Sequence, residues 1–90
     1  MTHCPWTDRH KFWRVACMDV RQLFGTNVRR LRLEKGLSQE EFGFVAGIDR
    51  TYVSGVERGL RNPTIVLAEK FAQGLGVEVD ELLRRPAKGA

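Results

Sequence analysis

Residues 37–59 read LSQEEFGFVAGIDRTYVSGVERG, and this stretch decides how the chain folds. Ser38, followed by Glu41, has the capping-box form: the hydroxyl accepts a first-turn N–H, and the carboxylate accepts the N–H of the cap itself. A helix therefore starts at Gln39. Phe42, Val45 and Ala46 recur at helical spacing and are assigned to its inner face, and Gly47 stands where a left-handed residue closes a helix at least cost. Asp49 caps a second helix over residues 50–58, with Val53 and Val56 inward and Gly59 as its stop. Ile48, between glycine and cap, is the plug for the angle. Two short helices joined by a glycine-containing turn make a helix-turn-helix unit. Helices shorter than about 12 residues are marginal alone in water, so both must dock on the rest of the chain. The second keeps its apolar residues for the core and is expected to expose Arg50, Thr51, Tyr52, Ser54 and Gly55, which makes it a face for reading a ligand. An ordinary helical corner without a ligand does not explain that polarity.

Upstream, Asp19 can cap a helix over residues 20–35 with Val20, Leu23, Phe24, Val28 and Leu31 inward, closed by Gly36. Gly25 lies within it and should weaken it by roughly 1 kcal/mol relative to alanine. Arg29 and Arg30 are equally readable as a solvated basic face or as phosphate contacts. Downstream, the loop RGLRNP over residues 58–63 excludes helix at Gly59 and Pro63, and its Arg58, Arg61 and Asn62 offer donors suited to a phosphate backbone. Thr64 caps a helix over residues 65–74 with Leu67, Ala68, Phe71, Ala72 and Leu75 as its stripe and Gly76 as its end. Val77, Val79, Leu82 and Leu83 belong to a short last helix over residues 79–84. The expected fold is all-α: five helices in one compact domain, without strand or repeat, joined by short loops.

Ninety residues suffice for one helical core and not for two. The net charge of +4 and the isoelectric point near 9.6 favour anionic partners such as nucleic acid. Distribution says more than the total: Arg29, Arg30, Arg32, Arg50, Arg58 and Arg61 lie in or beside the motif, whereas Glu69, Glu78, Asp80 and Glu81 lie beyond it. No apolar run approaches the roughly 18 residues of a spanning helix. A soluble, cytoplasmic protein without membrane association is expected, and no disulfide framework is needed to explain the fold.

Residues 1–17, MTHCPWTDRHKFWRVAC, form an N-terminal extension. His3, Cys4, His10 and Cys17 suggest a metal site, but twelve residues separate the cysteines without a CxxC pair, which matches no common zinc spacing. No metal and no cofactor are expected. The extension reads either as a mobile segment or as the start of a stripe Phe12, Ala16, Val20, Leu23 and Phe24 that covers the domain or pairs two copies of it. Met18 is a candidate translation start. The expected organisation is thus 1–17 extension, 18–85 helix-turn-helix domain and 86–90 frayed tail.

The segments VRRLRLEKGLSQ (28–39), AGI (46–48), VERG (56–59) and NPT followed by LAEKFAQGLGV (62–77) together resemble the lambda repressor and Cro (XRE) family of helix-turn-helix regulators, over roughly residues 20–83. The resemblance implies that Arg50, Thr51, Ser54 and Gly55 face the major groove, with Arg50 placed to bond guanine O6 and N7 together. It implies a phosphate contact and a bracing role for Gln39, a backbone contact or a half-buried packing role for Tyr52, and an internal salt bridge between Arg32 and Glu57. Departures from the family pattern are Gly43, which replaces a common alanine and should loosen its helix without breaking the close packing that needs a small residue there; Gly55, which leaves one reading position empty and implies weaker discrimination or closer approach of the helix to DNA; and Glu78, which replaces a hydroxyl cap.

The expected function is a sequence-specific double-stranded-DNA-binding transcriptional regulator, a dimeric repressor whose interface involves Val79, Leu82, Leu83 or the extension. The alternative is a protein-interaction module of antitoxin type, with Trp6, Phe12 and Trp13 contacting a protein partner through residues 1–17. An enzyme is not expected: both histidines lie in the extension, and no catalytic constellation or phosphate loop is assembled around the core. No separate effector-sensing domain is read in these residues, so control by concentration or by a partner is favoured over a small inducer.

Overall fold

Each helix begins where a side chain takes over amides that would otherwise lack partners. The structure, a computed structural model, describes residues 19–85. Asp19 accepts from the Arg21 N–H ahead of α1 (Val20–Glu34). Ser38 and Glu41 form the reciprocal capping box of α2 (Gln39–Ala46), with Glu41 N–H to Ser38 Oγ at 3.0 Å and Ser38 N–H to Glu41 Oε1 at 2.9 Å. Asp49 caps α3 (Arg50–Glu57) through the Thr51 N–H, and Thr64 caps α4 (Ile65–Leu75) through the Leu67 N–H. The last element, Val79–Leu83, is a 3₁₀ helix, tighter than the α-helical turn expected over residues 79–84, and Glu78 ahead of it makes no side-chain cap bond. Among the described residues no strand occurs, and no helix is long and apolar enough to cross a membrane.

Phe71 of α4 is the centre of the core. Its ring meets Phe24 of α1 edge-on at 5.5 Å, Phe42 of α2 at 5.8 Å and Tyr52 of α3 at 6.4 Å, so one side chain touches every other α-helix. Leu23, Val28, Ile48, Val53, Val56, Ala72, Leu75 and Leu82 complete the buried apolar set. Gly47, at φ 73°, adopts the left-handed conformation that lets Ile48 fall back into this core, its N–H bonded to the Gly43 carbonyl at 2.8 Å. Asn27 is one of two buried polar residues, with Arg32, among those described. It lies buried at 5% exposure and donates from Nδ2 to the carbonyls of Leu82 and Arg84 at 2.9 and 3.0 Å, which fastens the 3₁₀ helix to α1.

Several expectations are corrected by the packing. Val20, at the first position of α1, and Val45, on the outer flank of α2, are 54% and 60% exposed, because both lie just outside the arc that neighbouring helices cover. Gly25 does more than weaken α1: a Cβ there would collide with the Val56 carbonyl oxygen, so its absence allows α1 and α3 to touch backbone to backbone. The close packing expected at Gly43 is present: a Cβ there would lie 2.5 Å from the Ile48 carbonyl oxygen, so this glycine accommodates the return of the turn. The expectations attached to residues 1–17, to Met18 and to the tail 86–90 fall outside the described residues.

Bonds from the Arg21 guanidinium and then from its backbone N–H hold the exposed Asp19 carboxyl at about 2, below its ordinary 3.8. The folded value lies below the unfolded one, so the cap stabilises the protein above pH 3.8 and loses its effect as the pH falls through about 2. Asp19→Ala should therefore melt at a lower temperature than wild type at neutral pH, and the gap should close in melts recorded down to about pH 2. A gap independent of pH would assign the effect to packing and not to the ionised cap.

Candidate nucleic-acid interface

The site is built on a buried ionic hub. Arg32, in the last turn of α1, donates from Nε to Glu57 Oε2 at 2.6 Å and from Nη2 to Glu57 Oε1 at 3.0 Å. Its remaining Nη1 donates to the Leu37 carbonyl at 2.7 Å, in the connection to α2. Gln39, the first residue of α2, donates from Nε2 to the same Glu57 Oε1 at 3.0 Å. The Arg32 and Glu57 side chains are only 7% and 2% exposed, and among the described residues no buried side-chain nitrogen or oxygen lacks a partner. Two charges held this far from water are tolerable because every nitrogen of the guanidinium and both carboxylate oxygens have a hydrogen-bond partner. The outcome is geometric: the end of α1, the start of α2 and the end of α3 are fixed to one carboxylate.

On that mount α3 shows a divided surface. At about 100° per residue, Arg50, Ser54, Arg58 and Thr51 fall on one arc, with Val53 and Val56 turned away from it into the core. Arg50, Thr51 and Arg58 are exposed and Ser54 is half-exposed. Arg50 shares an open depression with Arg32, Ser38, Gln39 and Glu40, so the start of α3 and the start of α2 present their groups side by side. Arg61 and Asn62 continue the polar surface beyond α3 and are exposed. Tyr52 is half-buried: its ring packs toward Phe71 on one side and is covered by the Arg61 guanidinium, 5.4 Å from the ring centroid, on the other.

Gly55 departs from expectation. It is not an exposed reading position but is buried, because the Arg61 side chain lies across it. The expected interface residues separate as well. Leu82 is fully buried in the core and Val79 is half-buried against it, because the 3₁₀ helix packs on α1 and α4; only Leu83 remains exposed, at 47%. The apolar residues left facing solvent near it are Val20, Ile65 at 86% and Val66 at 71%, beside a cleft lined by Val20, Phe24, Pro63, Ile65, Ala68 and Leu83. Sequence reading missed Ile65 and Val66; the available signal was that two β-branched apolar residues follow the Thr64 cap before the inward stripe of α4 begins at Leu67. Among the described residues no group of His, Cys, Asp and Glu side chains could hold a metal ion.

Comparison with known proteins gives a consistent picture. Residues 28–82 match the helix-turn-helix family model HTH_3. An uncharacterized HTH-type transcriptional regulator, y4dJ of Sinorhizobium fredii, is 50% identical over 66 residues, spanning 73% of this chain and 86% of the relative. Among solved structures, the restriction-modification controller protein C.AhdI from Aeromonas hydrophila superposes with a TM-score of 0.67 at 50% identity, covering 69% of this chain and 94% of that one. The controller C.Esp1396I, solved as a tetramer in complex with its natural 35 base-pair operator, gives a TM-score of 0.63 at 34% identity over 72% of this chain and 96% of its own.

Glu57→Ala leaves Arg32 charged, buried and unmatched, and should lower unfolding free energy by about 3–5 kcal/mol in urea titration. Replacing both members by apolar residues of similar volume, Arg32→Met with Glu57→Leu, should recover most of that loss. A single variant as stable as wild type would show that the hub is not buried in solution.

Proposed function

The chain belongs to the helix-turn-helix family described by that model, and from this premise we propose that it is a sequence-specific double-stranded-DNA-binding transcriptional regulator, a dimeric repressor that lays α3 in the major groove. One observation carries the reading: α3 is held from behind by a buried, hydrogen-bonded ion pair while Arg50, Thr51 and Ser54 face outward on a protein of net positive charge. A helix so mounted offers side chains to base edges without surrendering core contacts.

Arg50 reads guanine, its guanidinium bonding O6 and N7 together; Thr51 meets a thymine methyl or a phosphate; Ser54 completes the base contacts. Gln39 has one amide hydrogen engaged by Glu57, and its second hydrogen, together with the free first-turn amides of α2, receives a phosphate. Arg58, Arg61 and Asn62 hold the backbone beyond the far end of α3, with the Tyr52 hydroxyl as a further donor. The protein acts in the cytoplasm and represses by occupying its operator.

One such module contacts too few base pairs for high discrimination, so two copies act on a two-fold site. The surface that suits a second copy is Val20, Ile65, Val66 and Leu83 around the apolar cleft, rimmed by the polar Arg21, Asn62 and Thr64. It lies directly after the loop that ends the reading helix, so pairing there fixes the spacing of two α3 helices. C.Esp1396I, with several copies on one operator, is a relative in which multiple occupancy occurs.

Selection of bound duplexes from a random library should enrich a palindrome with wild type, and Arg50→Ala should lose preference at one symmetric guanine, worth about 1–3 kcal/mol per site. Absence of enrichment over random competitor at physiological salt would refute the function. Ile65→Asp should remain folded yet sediment as a monomer and lose affinity for the palindrome; persistence of the dimer would move the interface elsewhere.

A further inference from the structure

The glycine on the reading helix and the arginine of the following loop form a single device. The chain leaves α3 by folding back on it: the Gly59 N–H donates to the Val56 carbonyl at 3.0 Å and the Leu60 N–H to the Gly55 carbonyl at 2.9 Å. These bonds place the backbone of residue 61 alongside Gly55. The Arg61 side chain then crosses the bare glycine so closely that a Cβ on residue 55 would lie 2.8 Å from its Cγ and 2.9 Å from its Nε. Its guanidinium ends over the Tyr52 ring, 5.4 Å from the centroid, where the electron-rich face attracts the charge. No acidic side chain pairs with Arg61 in any ion pair of the described residues, so its charge is held without being neutralised.

We propose that Gly55 and Tyr52 form a seat that pre-organises Arg61 as a phosphate clamp on the flank of the reading helix, so that the missing side chain at position 55 is a requirement for affinity and not an empty reading position. A free surface arginine loses rotamer entropy when it grips a phosphate, whereas one already laid in a groove and stacked on a ring loses much less. The seat also sets direction. With its aliphatic stem against Gly55, Arg61 keeps its donors on the side of α3 next to the arc of Arg50, Thr51 and Ser54. The contact is to phosphate because it stands at the edge of that arc, where a helix in the major groove meets the groove wall.

The inference rests on the DNA-binding reading above, and its test separates the two. Dissociation constants for one fixed duplex are measured against salt for wild type, Arg61→Ala, Gly55→Ala, the double variant Gly55→Ala/Arg61→Ala, and Tyr52→Phe and Tyr52→Leu, each alone and with Arg61→Ala. Wild type binding no duplex would overturn the function itself. If wild type binds, Arg61→Ala should weaken binding about tenfold and reduce the logarithmic salt slope by about 0.9 per bound protomer. Gly55→Ala should reproduce most of that loss, and in the Arg61→Ala background it should cause none. Tyr52→Phe removes only the hydroxyl and its own phosphate contact; Tyr52→Leu, which also removes the ring face, should bind more weakly than Tyr52→Phe, and this further difference should vanish when both are made in the Arg61→Ala background. The Cβ at position 55 displaces an exposed side chain rather than backbone, so Gly55→Ala should keep the wild-type circular dichroism and melt no earlier. Full affinity in Gly55→Ala, or losses that simply add in the double variant, would overturn the seat. Weaker binding in Arg61→Ala without any change in salt slope would overturn the phosphate assignment.

Discussion

The Arg32–Glu57 pair is the constraint on which the rest of the structure depends. It gathers the end of α1, the connection after it, the first residue of α2 and the last residue of α3 at one carboxylate. A pair this dry adds little net stability compared with well-packed apolar residues, but it has only one low-energy geometry. Apolar contacts alone permit short helices to slide; two eight-residue helices cannot specify their mutual angle through area. Phe71 supplies the cohesion and the ion pair supplies the register.

Around that hub the molecule sorts its surface by chemistry. The polar arc of α3 and the donors that follow it face one way, while Val20, Ile65, Val66 and Leu83 remain apolar and open to solvent beyond the loop. The Pro63–Thr64 junction joins the two surfaces within a few residues. On the proposed reading, recognition and pairing are built from adjacent segments, and a short, capped connection would set the position of one copy's α3 relative to another's.

Much of this was legible in the sequence because it is local. The caps at Asp19, Ser38, Asp49 and Thr64 depend on residues two or three positions away, and each forms the bond its sequence implies. The inner stripes of α1 and α4 were readable at their centres, where a wide apolar arc must be covered. The stripe of α1 failed at Val20, and that of α2 at Val45, because the end of a helix is covered only if some distant element reaches it, and periodicity contains no information on that reach. The Arg32–Glu57 pairing came from family resemblance; nothing in the spacing of these two residues identifies it. Least legible were the glycines. Gly25 read as a weak point within its helix and is a close approach to the Val56 carbonyl; Gly43 read as a place needing a small residue, but not for the Ile48 carbonyl that requires it; and Gly55 read as a vacancy and is covered by Arg61. In each case the decisive neighbour belongs to another element, so only the assembled fold defines what the absent Cβ makes room for.

The contact of Gly25 with the Val56 carbonyl has a consequence for how such proteins diversify. Backbone against backbone leaves, at this one contact, no side chain through which α3 can be shifted by substitution. Positions 50, 51 and 54, in contrast, are free of core duties and can be exchanged singly. On the proposed reading, exchanges there would alter the preferred site in small steps without disturbing the core contacts that hold α3.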